Sequence, residues 1–219
     1  MRSLLVLGVL IALMVALLAA IAYKTPPAEE DSHARIAVVI DRTRSFEENL
    51  QDAATIVGRF VRENALAGDS EVYLISLDRE PSVLHFYRAE ELLDSRGSKI
   101  LDEIKSANPL DGTDVVGALQ LAAMKLHKNT RAKITRRILL CFSDMHVDPA
   151  TIPVRKEFKR LKEFDWSTLK QAECHFFFVA PENERVVIGL LEQNGITGEV
   201  MTPEESRGLV ADEILDTVE

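Results

Sequence analysis

The sequence predicts an α/β fold: a three-layer, doubly wound, mainly parallel six-stranded sheet with one antiparallel edge strand, preceded by an N-terminal transmembrane helix. Three observations predict it. Apolar runs of strand type alternate along the chain with stretches of helical periodicity, the pattern of helices laid on both faces of a parallel sheet. Two of those runs, EVYLISLD (71–78) and PSVLHFY (81–87), are separated only by Arg79 and Glu80, so they pair as an antiparallel hairpin. RRILLCFSD (136–144) carries no polar alternation, as a strand covered on both faces requires.

At 219 residues, 47% hydrophobic and 28% charged, the chain holds one good-sized core and one or at most two domains. Its formal charge of −9 is spread over mixed-sign segments. That excludes nucleic-acid binding by phosphate neutralisation and disfavours acidic partners at long range.

Leu4 to Tyr23 is a run of twenty uncharged, mostly Leu, Ala, Val and Ile residues between Arg2 and Lys24. As a helix it reaches ~30 Å, one bilayer core, so residues 1–23 read as a transmembrane signal anchor. Ala20-Ile21-Ala22 is also a passable cleavage site, which keeps a cleaved signal peptide as the alternative. The rest is expected outside the cytoplasm, periplasmic or extracellular, membrane-bound by a single pass if the segment stays and secreted if it is cut. Residues 24–33, KTPPAEEDSH, read as a polar linker, and 34–219 as the globular domain.

Within that domain Ala34 to Ile40 is a fully apolar strand, and Phe46, Leu50, Ala53, Val57 and Phe60 recur at helical spacing. After the hairpin and a helix-turn region around 90–105, DGTDVVGALQLAAMKLHK places Val115, Leu119, Ala122 and Leu126 on one helical face. The strand at 136–144 follows. A basic stretch at 154–170, with Phe158, Leu161, Phe164, Trp166 and Leu169 among its lysines and arginines, reads as a cover over the sheet, with membrane-surface contact as the alternative. ECHFFFVA (173–180) is the next strand, then a helix ending at Asn194-Gly195, a short strand at 197–201 and a last helix to Glu219. Aligning the strand ends puts Cys141 near Phe177 and leaves Cys174 about three residues away along the sheet, beyond bridging distance. Both thiols are expected free and buried.

In such sheets ligands bind outside the carboxyl ends of the strands. Asp41 and Asp144 close the two most apolar strands, Thr43 and Ser45 follow Asp41 at every second position, and Thr113 sits where a helix begins. Two carboxylates and three hydroxyls without His or Cys form an all-oxygen set suited to a hard divalent cation such as Mg²⁺ (or Mn²⁺). Singly, each hydroxyl has a plainer reading: Ser45 with Glu48 spells a capping box, and Thr113 is a potential helix N-cap. Arg42 and Arg44 are expected to splay toward the rim, with Met145 and His146 beside them; they read as solvated loop charges or, functionally, as a positive collar that steers a carboxylate inward. Together with Asp148, His146 reads as loop rather than as a second metal site.

D-x-T-x-S at a strand end, Gly112-Thr113 opening a helix, and Asp144 closing a later strand together resemble the metal-ion-dependent adhesion site of von Willebrand factor A domains, the fold shared with integrin I domains. The match runs over roughly residues 34 to 216. The resemblance implies that Thr43, Ser45 and Thr113 carry the hydroxyl ligands, that Asp41 and Asp144 bind mainly through water, and that a partner's acidic residue fills the last position. It also implies coupling between the metal site and the C-terminal helix. Two departures stand out: Thr43 where the family more often has Ser, and Met145 where it commonly has Gly.

The expected function is therefore a membrane-tethered, cation-dependent protein-binding module with no catalytic residues. One alternative is a scaffold module of the same fold without a metal requirement. Another is a Mg-dependent enzyme, since a strand-end Asp before a Thr/Ser loop also resembles haloacid-dehalogenase-type phosphatases; those want a second Asp where Thr43 stands.

Overall fold

Every residue of ARIAVVID (β1, Ala34–Asp41) is buried in the computed structural model, as a central strand covered on both faces must be. The structure describes residues 33–64, 66–93, 95, 97–106, 112–129, 133–146 and 154–216. The expected anchor and all but His33 of the expected linker lie outside them. Among the described residues no helix is long and apolar enough to cross a membrane.

The other strands are β2 (Glu71–Leu77), β3 (Val83–Arg88), β4 (Arg136–Phe142), β5 (Glu173–Phe177) and β6 (Gly198–Val200). They form one sheet in the order β3-β2-β1-β4-β5-β6, parallel throughout except for the β2–β3 hairpin. The antiparallel edge strand is thus the one the two-residue spacer at Arg79-Glu80 predicts. Strand order reverses between β1 and β4, and in such sheets ligands bind in the crevice outside the carboxyl ends at that point.

Helices α1 (Leu50–Glu63), α2 (Glu90–Leu93), α3 (Ser98–Ser106), α4 (Val115–Leu126), α5 (Val154–Glu163), α6 (Pro181–Asn194) and α7 (Pro203–Asp216) complete the described elements, with 3₁₀ turns at Arg44–Asn49 and Trp166–Leu169. Strand side chains alternate between two cores. Ala37, Val39, Ile75, Leu77, Leu139, Cys141 and Phe176 pack with α4, α6 and the 161–172 segment. Ile36, Val38, Ile40, Leu74, Leu140, Phe142 and Phe177 pack with α1, α2 and α3, and Leu209 and Val210 of α7 lie against that core. Each such fully buried aliphatic side chain stabilises the fold by roughly 1.5–3 kcal/mol.

Element ends follow local chemistry. Helix α6 stops where Gly195 turns left-handed at φ 62°, as Asn194-Gly195 predicts. Two apolar runs read as longer strands end early, β4 at Phe142 and β5 at Phe177; Phe178 turns β5 off with a positive φ of 62°, and Met145 at 58° turns the loop after β4. In the observed register Cys141 faces Phe176 and Cys174 faces Leu139, an offset of two positions rather than about three. Both thiols are free and buried, and burial raises both, Cys174 to about 12.

Candidate metal centre

Asp41 is the last residue of β1 and is fully buried. Its Oδ1 accepts hydrogen bonds from the Thr43 backbone N–H (2.9 Å) and the Thr43 hydroxyl (2.7 Å). Oδ2 accepts from the Ser143 hydroxyl at 2.7 Å. The hydroxyls of Thr43 and exposed Ser45 lie 3.1 Å apart, so three of the five expected ligands form one hydrogen-bonded chain at the end of β1.

The plainer readings of the hydroxyls are not realised. Thr43 is the N-cap of the 3₁₀ turn yet its side chain caps nothing; Glu48 is engaged by Arg207, not by Ser45. Helix α4 is capped by Asp114, which accepts from Gly117 N–H at 2.9 Å. A Cβ on residue 117 would sit 2.5 Å from that carboxylate, so glycine is what admits the cap. This leaves Thr113 one residue outside the helix, 2% exposed, after Gly112 at φ 115°, a conformation that glycine alone adopts readily. A bond from Asp114 N–H to the Asp78 carbonyl (3.0 Å) ties this loop to the end of β2, the neighbour of β1.

Asp144 follows β4, half-buried, with its Oδ1 accepting from His146 N–H at 2.8 Å. The loop after it holds a non-glycine residue in left-handed geometry. Met145 N–H donates to Ser143 Oγ (2.9 Å), and Asn183 Nδ2 donates to the carbonyls of Asp144 and Met145 (3.2 Å each). The strain of such a residue is about 1–2 kcal/mol. Burial of the Met145 side chain in the core, at 5% exposure, offsets it.

Two of the four expected rim residues are not at the rim. Arg42 is 8% exposed; its N–H bonds the Leu77 carbonyl at 3.1 Å and its guanidinium lies 3.6 Å from Asp78. The backbone ladder continues through Arg42, which carries its side chain in rather than out, and burial lowers the guanidinium while raising Asp78. Met145 is core. Arg44 and His146 are exposed, His146 lying 3.3 Å from Glu182.

Burial pushes the Asp41 carboxyl up from 3.8 to about 6; the Thr43 and Ser143 bonds pull it down, and the charge of Asp144 adds to the rise. The Asp41 carboxyl therefore carries both a burial cost and a smaller one from the neighbouring Asp144 charge. Ser143, Asn183 and Asp114 were not singled out from sequence. Ser143 had a signal, because it directly precedes Asp144 and the register pairs Ile40 with Phe142, which sets Asp41 level with Ser143.

The family model for the von Willebrand factor type A domain matches residues 36–146, just over half of the chain. The chain belongs to that family. The matched segment of this von Willebrand factor type A domain contains all five expected oxygen ligands. Similar folds include the PilB minor pilin from Streptococcus sanguinis, with TM-score 0.60, 10% identity and coverage of 89% of this chain and 63% of that one. The pilus adhesin SpaC from Lactobacillus rhamnosus GG, in its open conformation, gives 0.53, 12%, 86% and 30%. The conserved hypothetical protein BatB from Bacteroides thetaiotaomicron gives 0.52, 11%, 84% and 98%. The chain thus spans less than two thirds of the pilin and the adhesin. No curated protein matches it.

Proposed function

We propose that this von Willebrand factor type A domain is a divalent-cation-dependent protein-binding module, Mg²⁺ or Mn²⁺ bridging it to an acidic residue of a protein partner. The observation that carries the reading is the fully buried Asp41 carboxylate, held by Thr43 and Ser143 at the strand-order switch with Asp144 near enough to raise its proton affinity. The donors fit the cation. They are carboxylate and hydroxyl oxygens only, the donor type that suits a hard divalent cation.

Asp41, Thr43, Ser45, Thr113 and Asp144 would hold the ion. When bound, it supplies positive charge that relieves the Asp41–Asp144 repulsion and an acceptor site for an incoming carboxylate. Asp41 fixes the first turn through Thr43, Ser143 fixes Asp41, and Asn183 fixes the Asp144 loop. Exposed Arg44 is placed to attract an anionic group. Residues 4–23 tether the domain outside the cytoplasm in the same reading.

Thermal unfolding of the full chain in EDTA and in rising Mg²⁺ or Mn²⁺ tests it, with Asp41→Ala alongside. A hundredfold excess over the dissociation constant stabilises by ~2.7 kcal/mol. The parent is expected to respond and the variant not; a parent indifferent to cation would move the metal-free scaffold reading to first place.

A further inference from the structure

The crevice lies where β1 and β4 end, and a different surface lies where they begin. Helix α4 finishes there: Arg35 donates to the carbonyls of Leu126 and Lys128, and Arg137 donates to that of Leu126. His127 Nε2 lies 2.6 Å from the Thr168 carbonyl, joining α4 to the 3₁₀ turn at Trp166–Leu169. Between them opens a groove of about 520 Å³ whose walls include Ala123, Met124 and His127 on one side and Phe164, Asp165 and Thr168 on the other. Met124 is 69% exposed, more than any other large hydrophobic residue among the described ones.

Exposed lysines flank the groove's wall residues in sequence, in a chain of charge −9. Lys128, Lys162 and Lys170 are exposed and each lies within two residues of a wall residue; Lys159 is exposed one helical turn before Lys162. Two acids stand among them: Glu163 lies 3.6 Å from Lys159, and Asp165, itself on the groove wall, accepts from Ser167. His33 marks the same end, its carbonyl accepting from Thr135 N–H just before β4. Upstream of it the sequence has only residues 24–32 before the apolar run ends at Tyr23, a reach of at most ~32 Å even when fully extended.

We propose that this groove face docks on an anionic lipid surface, Met124 entering the interface and the lysines facing lipid phosphates, so that the cation crevice points away from the membrane. The proposal rests on reading residues 4–23 as a retained anchor. A tethered domain needs little affinity of its own, because the short linker holds the face at high effective concentration near the bilayer. Each lysine close to an anionic surface multiplies that weak contact by roughly fivefold.

Cys141 and Cys174 are buried, so a single introduced thiol can be labelled. Full-length Met124→Cys and, as the crevice-end control, Glu80→Cys are labelled with bimane in nanodiscs containing lipid-borne nitroxide quenchers. The discs are phosphatidylcholine alone or equal parts phosphatidylcholine and phosphatidylglycerol. Quenching is expected at position 124 and not at 80, only with phosphatidylglycerol, and K159E/K162E should reduce it at least roughly fivefold with Trp166 emission unchanged. Mass spectrometry of the disc-bound chain reports whether residues 1–23 are present. Equal quenching at 124 and 80 on a chain that retains them overturns the docking face and leaves the anchor standing. A chain that does not stay on the discs overturns both. Shielding of position 124 that follows protein concentration rather than lipid charge overturns lipid docking in favour of a second copy.

Discussion

Ser143 donates its hydroxyl to Asp41 Oδ2 across 2.7 Å, locking the ends of the two central strands together, and Ser143 Oγ in turn accepts from Met145 N–H at 2.9 Å. One side chain thus organises both halves of the crevice. Ser143→Ala leaves a buried carboxylate oxygen and a buried N–H without this partner, at a cost of about 2–3 kcal/mol. Urea unfolding should show that loss, and a cation titration should need more Mg²⁺ to reach its midpoint. A variant as stable as the parent would show that the bond is not maintained in solution.

Asp41 also predicts a pH dependence. Its carboxyl sits at about 6 in the fold against 3.8 ordinarily, chiefly through burial. The folded protein therefore holds this proton more tightly than the unfolded chain. In chelator the associated stability is fully present below pH 3.8 and is lost as pH rises through about 6, a change of roughly 3 kcal/mol. Asp41→Asn cannot ionise. Without cation it should match the parent near pH 4 and exceed it at neutral pH, and saturating Mg²⁺ should reverse the order. Parallel stability curves for the two proteins across this range would contradict the prediction.

Met145→Gly sets two effects against each other. Glycine removes about 1–2 kcal/mol of left-handed strain but forfeits a buried Met side chain worth about 2–5 kcal/mol. Burial wins, so the variant should be less stable by roughly 1–3 kcal/mol, while the loop keeps its path and the cation midpoint barely moves. A stabilised variant in calorimetry would mean that the strain dominates.

Arg207 of α7 donates to Asn49 Oδ1 at 2.9 Å and reaches Glu48 at 3.4 Å, both on the turn that carries Ser45. Phe46 of that turn meets Phe178 edge-on at 5.6 Å, and Phe178 N–H donates to Ser206 Oγ. Arg207→Ala should therefore shift the cation midpoint severalfold with little loss of fold. An unchanged midpoint in isothermal titration would separate the helix from the crevice.

At the other end Arg35, 1% exposed, holds Glu71 at 2.7 Å. Arg35→Ala removes the closest cation from a mostly buried carboxylate, which keeps only the Tyr73 hydroxyl and Arg88 at 4.0 Å, and takes the Arg35 donor from the Lys128 carbonyl, so chemical denaturation should register a loss of about 2–3 kcal/mol.

Period and spacing carried most of the fold into view. Alternating runs gave the strands, Arg79-Glu80 the hairpin, and Asn194-Gly195 a helix end. Asp41, Thr43 and Ser45 were legible because local spacing alone brings them together. Arg42 was not: its partner Asp78 lies on another strand, and alternation says which side a residue faces without saying what waits there. Met145 hid for a related reason. Its backbone is held by Asn183, 38 residues away, and a left-handed methionine leaves no local mark.

β1 begins one residue after His33 and ends on Asp41, and it is hydrogen-bonded to β2 on one side and β4 on the other. A pull applied between the linker and a partner held at Asp41 therefore runs lengthwise down a single strand. Both ladders are loaded in shear, all rungs at once, instead of being unzipped one by one. In the tethered, partner-bound reading proposed above, the force would run along β1 rather than across it.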